Sequence, residues 1–447
     1  MASSATHSAN LPTQIGYGVG QVAGQVFRDL PSLLLLFFMT TVLGIAPDVA
    51  GVVIFVPKIV FGLLCDVSVG IISDRLRRRI ARRWWLLAGA LLSPLAMLLL
   101  FNVPEGSESF QLAYIGVAFS FYMAVFASFS VPYLAIAGEL TQTPEQRNHI
   151  MAWRLVFTSV GVLVAGALAP GLVAANGGDQ AAYENMAVVL AIICPAALLI
   201  AFFATRKAAP VSSNQDAQAI SLSPREAFAK IFRTKFTPLL LANLLQLTGA
   251  GMGYAALIYF LAYNLDLGQA GALATIGIIV LAACAGIIVA QPLWIKAAAH
   301  LGKRNAYILA TFIYLSAYIF WGMSAGWGKE ASYVLSFVAA LGNSGWAMLG
   351  FSMMSDVSAE DEEYAGLYSA AWIAADKIAF ALGGTLLLGL ILGWYGFDSK
   401  LAMTGAPQPD SALTGVVVAF AFFPVALNLC AIAILWRFST LGAKESA

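Results

Sequence analysis

"GLLCDVSVGIISDRLRRRIARRWWLL", residues 62–87, sets one aspartate inside an apolar run and then delivers six arginines between Arg75 and Arg83. The chain around it is oily: of 447 residues 60% are hydrophobic and 11% charged, and the mean hydropathy is +0.82. A water-soluble domain of this length does not carry that composition. A membrane-crossing helix needs roughly 20 apolar residues. Twelve stretches qualify: 12–44, 49–74, 83–103, 110–139, 150–174, 183–204, 236–265, 270–297, 305–325, 331–356, 365–394 and 411–436. The expected fold is an all-α membrane protein of twelve transmembrane helices in two six-helix bundles. The first stretch is far longer than a signal-peptide core and no small-residue cleavage site follows it, so it reads as a permanent span.

The arginines then have a topological reason, because basic side chains stay on the cytoplasmic side of short loops. With an N-in start the loop between spans two and three holds Arg75, Arg77, Arg78, Arg79, Arg82 and Arg83. The connection between spans six and seven holds Arg206, Lys207, Arg225, Lys230, Arg233 and Lys235, and the next inward loop holds Lys296, Lys303 and Arg304. The outward loops hold only Lys329 and Lys400. Both termini are thus expected in the cytoplasm, with the bilayer as partner. The net charge of +1 adds little, because the positive charge is sorted by side, and no basic face for nucleic acid is expected. Cys65, Cys194, Cys284 and Cys430 fall one apiece in separate spans, without paired or metal-type spacing.

The only long polar segment, "RKAAPVSSNQDAQAISLSPREAFAKIFRTK", ends at Lys235. It divides the chain into an N-terminal bundle (1–205), a cytoplasmic linker (206–235) and a C-terminal bundle (236–447), the two-bundle repeat expected of a transporter. "GIISDRLRRR" after span two is echoed by "HLGKRNAY" after span eight.

"GIISDRLRRR", with Gly70, Asp74 and Arg75 in the key places, resembles the cytoplasmic signature of the major facilitator superfamily. In physical terms Gly70 would let two helices approach closely, and Asp74 would pair with basic neighbours or cap a facing helix. These three are the expected gating residues. "YGVGQVAGQVFRDLPSLLLLFFMTTVLGI" (17–45), "VPYLAIAGELTQTPEQRNHIMAWR" (131–154) and "SMMSDVSAEDEEYAGLYSAAWIAADKIAFALGG" (352–384) resemble the glycoside-pentoside-hexuronide cation symporters, the melibiose permease group. The resemblance implies alternating access, with a small-molecule substrate and a coupling cation bound near the bilayer midplane, and a bacterial inner-membrane location; a monomer is expected to suffice.

Residue chemistry points to the same depth. Arg28 and Asp29 lie near the centre of span one, Lys58 and Asp66 within span two, and Asp376 and Lys377 near the centre of span eleven. A charge at a helix centre costs roughly 2.5–3.5 kcal/mol on insertion scales, so six unpaired would cost about 15–21 kcal/mol, beyond what marginal stability carries. They must pair, snorkel, or line a water-filled cavity. Arg28 and Asp29, as neighbours on one helix, are expected to point apart. Lys58 and Asp66, about 12 Å apart along the axis, each need a partner from another helix.

The resemblance assigns Asp66 to cation coupling and places Lys377 at a basic position of the sugar permeases, Asp376 beside it being an addition; Asp29 and Asp376, as the other midplane carboxylates, are the other candidates for coupling. Allowing one gap, Arg154 matches a substrate-contacting arginine, with Trp153 beside it, and Trp346 falls within one residue of an aromatic that sandwiches sugar. The plain alternatives remain: an interfacial Arg–Trp anchor for the first pair and packing for Trp346. Glu139, Asp356 and Glu360 to Glu363 lie at helix ends and read as gating or structural pairs.

Several positions depart from the family. Its acidic sugar-binding position in span one falls on Val26, preceded by Gln25 where the permease has a lysine; two of three cation-site carboxylates fall on Gly62 and Ser130; and the aromatic after the span-four proline motif falls on Leu134. A lone carboxylate in a low-dielectric site suits protonation, so a proton is the expected coupling ion with sodium as alternative, and no cofactor is expected. The balance of Arg28, Lys58 and Lys377 against Asp29, Asp66 and Asp376 favours acidic sugars or other organic anions as substrate. An enzyme is not expected, because His7, His149 and His300 lie at or beyond helix ends and no nucleophile has a base beside it. A lysophospholipid or other organic-anion symporter and a proton-coupled drug exporter remain open.

Overall fold

The computed structural model describes residues 10–76, 79–141, 143–207, 224–232, 236–361 and 364–437. His7, Arg77, Arg78, Arg233, Lys235, Glu362 and Glu363, and the side chains of Lys207 and Arg225, lie outside them. Twelve helices are long and apolar enough to cross a membrane: Leu11–Thr41, Pro47–Leu76, Arg83–Phe101, Glu108–Leu140, Gln146–Ala175, Gln180–Ala204, Phe236–Asn264, Gly268–Leu301, Lys303–Gly322, Lys329–Glu360, Gly366–Trp394 and Asp410–Arg437. They match the twelve expected spans within a few residues and are numbered one to twelve below. No strand occurs among the described residues.

Capping fixes several starts. Asn10 accepts from Thr13 N at 3.2 Å ahead of span one, Ser107 from Phe110 N at 3.3 Å ahead of span four, and Asp179 from Ala182 N at 2.9 Å ahead of span six. Each side chain satisfies an amide that the first helical turn leaves orphaned.

By contact the chain forms two compact units, one comprising Met1–Pro31 with Val53–Asp216, the other Ser32–Val52 with Ala217–Ala447. In the first unit span one packs on spans five and six. The approach to span five is close enough that a Cβ at Gly161 would lie 2.5 Å from Gln25 Cβ. In the second unit a Cβ at Gly383 of span eleven would overlap the Thr248 carbonyl oxygen of span seven. Gly70, expected at a close approach, is not at one: its nearest neighbour would be Val131 Cγ1 at 3.8 Å, ordinary contact. The helix is loosely covered there, so the glycine lets nothing closer in.

Among the described residues five spans carry a π-helical turn: Pro31–Leu35, Val164–Leu168, Phe260–Asn264, Leu382–Leu387 and Val418–Phe422. The first four fall in spans one, five, seven and eleven, which are equivalent pairs in a six-plus-six repeat. Pro31 has no N–H, so the carbonyl of Phe27 loses its helical donor. Tyr122 of span four supplies one, its hydroxyl donating to Phe27 O at 3.2 Å while its ring stacks on Phe27 at 4.4 Å.

Candidate substrate and ion site

Span one of the first unit carries polar residues at Tyr17, Gln21, Gln25, Arg28 and Asp29, spaced so that they share one face. Gln25, buried, donates from Nε2 to Asp29 Oδ2 at 2.6 Å, one turn along. Arg28 Nε lies 3.4 Å from Asp29 Oδ1, with side-chain exposures of 61% and 15%. These two neighbours were expected to point apart. The long arginine side chain curls back along the helix and makes a loose ion pair, leaving the short bond to Gln25. Lys58 of span two stands within electrostatic reach of both Arg28 and Asp29.

Two turns nearer the start of span one, Arg154 of span five donates from Nε to Gln21 Oε1 at 2.9 Å. Among the described residues its Nη1 has only the Met151 sulfur at 3.9 Å, a weak acceptor. Tyr17 and Tyr133 lie in its field. Their rings stack at 4.4 Å and 6°, and each hydroxyl donates to the other's carbonyl, at 3.1 and 2.8 Å. That reciprocal clasp fixes the turn of span one from which Gln21 projects. Trp153 turns its carbonyl toward Gly18.

Asp66 is half-buried in span two, its charge felt by Cys65. One turn before it Gly62 is covered by the Met123 methyl, 3.1 Å from where a Cβ would stand; Ser130, on span four, is half-buried. Among the described residues no three His, Cys, Asp or Glu side chains converge. At the end of span two Arg82 bridges Asp74 and Glu139, the latter at 2.5 Å from Nη1. Asp74 thus finds a basic partner as expected, but it is Arg82, while Arg75 is exposed and has no ion pair among the described residues.

In the second unit Asp376 is half-buried and Lys377 exposed on span eleven. Trp346 is buried edge-on to Tyr314, at 6.3 Å and 80°, and its indole N–H has no partner among the described residues. Asp356 pairs with Lys303 at 2.6 Å. Lys230, on the connecting helix Pro224–Ile231, pairs with Asp361 at 2.9 Å, and its ammonium lies 4.1 Å from the Tyr364 ring centroid. Tyr368 donates to the same carboxylate at 2.8 Å. Hydrogen bonds from Lys230 first and Tyr368 second hold the Asp361 carboxyl below the usual carboxylate range, and the bond to Asp361 lifts the Lys230 ammonium above the usual lysine value.

Sequence reasoning missed Gln21 and Gln25 as side chains with work of their own. Their signal was the four-residue spacing 17, 21, 25, 29 through an apolar helix. It also missed the buried Gln246, which Tyr307 and Thr311 hold in the second unit, because an isolated glutamine gives no comparable pattern.

The family described as MFS/sugar transport protein matches residues 16–440. The inner membrane symporter YicJ of Escherichia coli (strain K12) is 28% identical over 197 residues, 43% of each chain, and the putative glycoside/cation symporter YagG of the same strain likewise matches over 43% of its length. The uncharacterized symporter YnaJ of Bacillus subtilis (strain 168) is 24% identical over 97% of this chain and 92% of its own, and the glucuronide carrier protein homolog of E. coli 23% identical over 97% and 93%. In fold the chain is similar to a bacterial homolog of the human lysosomal transporter Spinster, with a TM-score of 0.69 at 12% identity over 96% of this chain and 97% of that one. With twelve membrane-length helices and a match running nearly end to end, this chain belongs to the MFS/sugar transport protein family of membrane transporters.

Proposed function

We propose that the protein is a cation-coupled symporter of a small glycoside, with sugar acids preferred, working by alternating access with both termini cytoplasmic in a bacterial inner membrane. The observation that carries the substrate preference is Arg154: its partners are a neutral amide and a thioether, so its positive charge is oriented yet not neutralised by any carboxylate among the described residues. A buried or half-buried cation held this way is stabilised by an anionic ligand. Relatives named as a glucuronide carrier homolog and a putative sulfoquinovose importer support an acidic sugar.

A proton is the proposed coupling ion, carried by Asp66 with Asp29 and Asp376 as the alternative carriers. Dehydrated hard cations require several oxygen ligands, and at the family's other two cation-site carboxylate positions this chain has Gly62 and Ser130, neither a carboxylate. The test is uptake of a labelled glucuronide into proteoliposomes under an imposed pH gradient without sodium, against a sodium gradient at equal pH. Accumulation driven by the pH gradient and abolished by Asp66→Asn supports the assignment. Accumulation driven by sodium alone replaces the proton, and indifference to Asp66→Asn removes Asp66 from the mechanism.

A further inference from the structure

We propose that Gln21 is the positioning and specificity-determining residue for substrate charge, aiming Arg154 while leaving its charge uncancelled. The inference rests on the reading above that Arg154 meets substrate. A guanidinium presents two edges able to grip a pair of oxygens, Nε with one Nη, and Nη1 with Nη2. Gln21 Oε1 occupies Nε at 2.9 Å. The outer edge, Nη1 with Nη2, is left for a ligand, with the Met151 sulfur alone beside Nη1 among the described residues. An Nε–H requires an acceptor, so the amide must turn its oxygen toward Arg154 and its NH2 away.

The choice of an amide has a chemical consequence. A carboxylate at position 21 would orient the guanidinium equally well but neutralise it, and the site would then favour neutral hydroxyl pairs. An aliphatic side chain would leave the charge but free the guanidinium to rotate. Only a neutral acceptor of this length gives a fixed fork with a full positive charge, matched to a planar or tetrahedral oxyanion such as a carboxylate or sulfonate. Gln21 itself is held in place, because Tyr133 clasps Tyr17 one turn before it and its hydroxyl also meets the Gln21 backbone amide.

The experiment compares a β-glucuronide with the β-glucoside of the same aglycone, which differ only in carboxylate against hydroxymethyl, in proteoliposomes holding the full-length protein. The variants are Gln21→Glu, Gln21→Met and Arg154→Ala, each checked for monodispersity and melting in detergent. Gln21→Glu is expected to lower the glucuronide-to-glucoside preference at least tenfold. Gln21→Met is expected to raise the half-saturating glucuronide concentration severalfold with maximal rate retained, a split that a folding defect would not produce. Preference within twofold of the parent in both Gln21 variants, with preference lost in Arg154→Ala, overturns the role of Gln21 alone. Preference intact in Arg154→Ala, or a parent protein that takes up neither glycoside, overturns the underlying reading of the site.

Discussion

Gln25 donates its amide N–H to Asp29 Oδ2 at 2.6 Å across one turn of span one, and this bond, with the looser ion pair to Arg28, keeps a carboxylate inside an apolar helix. Hydrogen bonds between membrane helices average about 0.6 kcal/mol. Stripping the donor from a buried charged acceptor costs more, about 1–3 kcal/mol. Gln25→Leu is therefore expected to destabilise by the larger figure. In an Asp29→Asn background, where the acceptor is neutral, the loss should shrink toward the smaller one. A double-mutant cycle on thermal unfolding in detergent reads the coupling; equal losses in both backgrounds would show that the charge is irrelevant.

The two arms of Arg82 should prove unequal. Glu139 is 8% exposed and Asp74 64%. Breaking a buried pair by removing one partner costs about 3–5 kcal/mol, whereas an exposed pair contributes about 0–1 kcal/mol. Arg82→Ala should thus lower the melting temperature sharply and Asp74→Ala hardly at all. The second variant should nevertheless slow substrate counterflow while leaving equilibrium binding within about twofold, since Asp74 lies beyond the last turns of the substrate-bearing face. Loss of binding in a folded Asp74→Ala protein contradicts the gating assignment.

The connecting helix Pro224–Ile231 is tethered through Lys230 and Asp361, and its pH response follows from the signs of their shifts. Asp361 is depressed, so its contribution is full above the unfolded value of about 3.9 and lost as pH falls through the folded one. Lys230 is raised, so its contribution is full below about 10.4 and lost as pH rises through the folded value. Amide exchange in the helix, taken relative to the intrinsic rate at each pH, should stay flat between about pH 5 and 9. It should rise on Lys230→Ala, and in about 1 M salt, where the Debye length falls to roughly 3 Å. A change in protection near neutrality, or none on Lys230→Ala, refutes the tether.

Tyr122→Phe keeps the ring stacked on Phe27 but withdraws the hydroxyl from its carbonyl. A loss of about 1–3 kcal/mol is expected for the stranded acceptor. Pro31→Ala, which restores a backbone N–H, should suppress that loss. If Tyr122→Phe costs the same in both backgrounds, the hydroxyl is not replacing the donor that proline lacks.

The twelve spans were readable because hydropathy is summed over some twenty residues and single errors average out. Asp74 was readable as a charge needing a partner, but its choice of Arg82 over the adjoining Arg75 was not, since helix direction and loop path decide which of six arginines arrives. On span one attention to formal charge found Arg28 and Asp29 and passed over Gln21 and Gln25, although neutral amides are what Asp29 and the span-five Arg154 bond at 2.6 and 2.9 Å. The π turns have no residue signature beyond Pro31. Each shifts the helical face, so a straight 3.6-residue period drawn from the start of a span misplaces residues beyond the turn.

Pro31 has one more consequence. A proline-free helix bends only by stretching or breaking its own ladder, which in hydrocarbon strands polar groups at several kcal/mol each. At Pro31 there is no rung to break, and the carbonyl that would be stranded at Phe27 already belongs to Tyr122. Span one thus carries its proline without stranding the Phe27 carbonyl in hydrocarbon, and it is between Pro31 and Ser32 that the chain passes from one compact unit into the other.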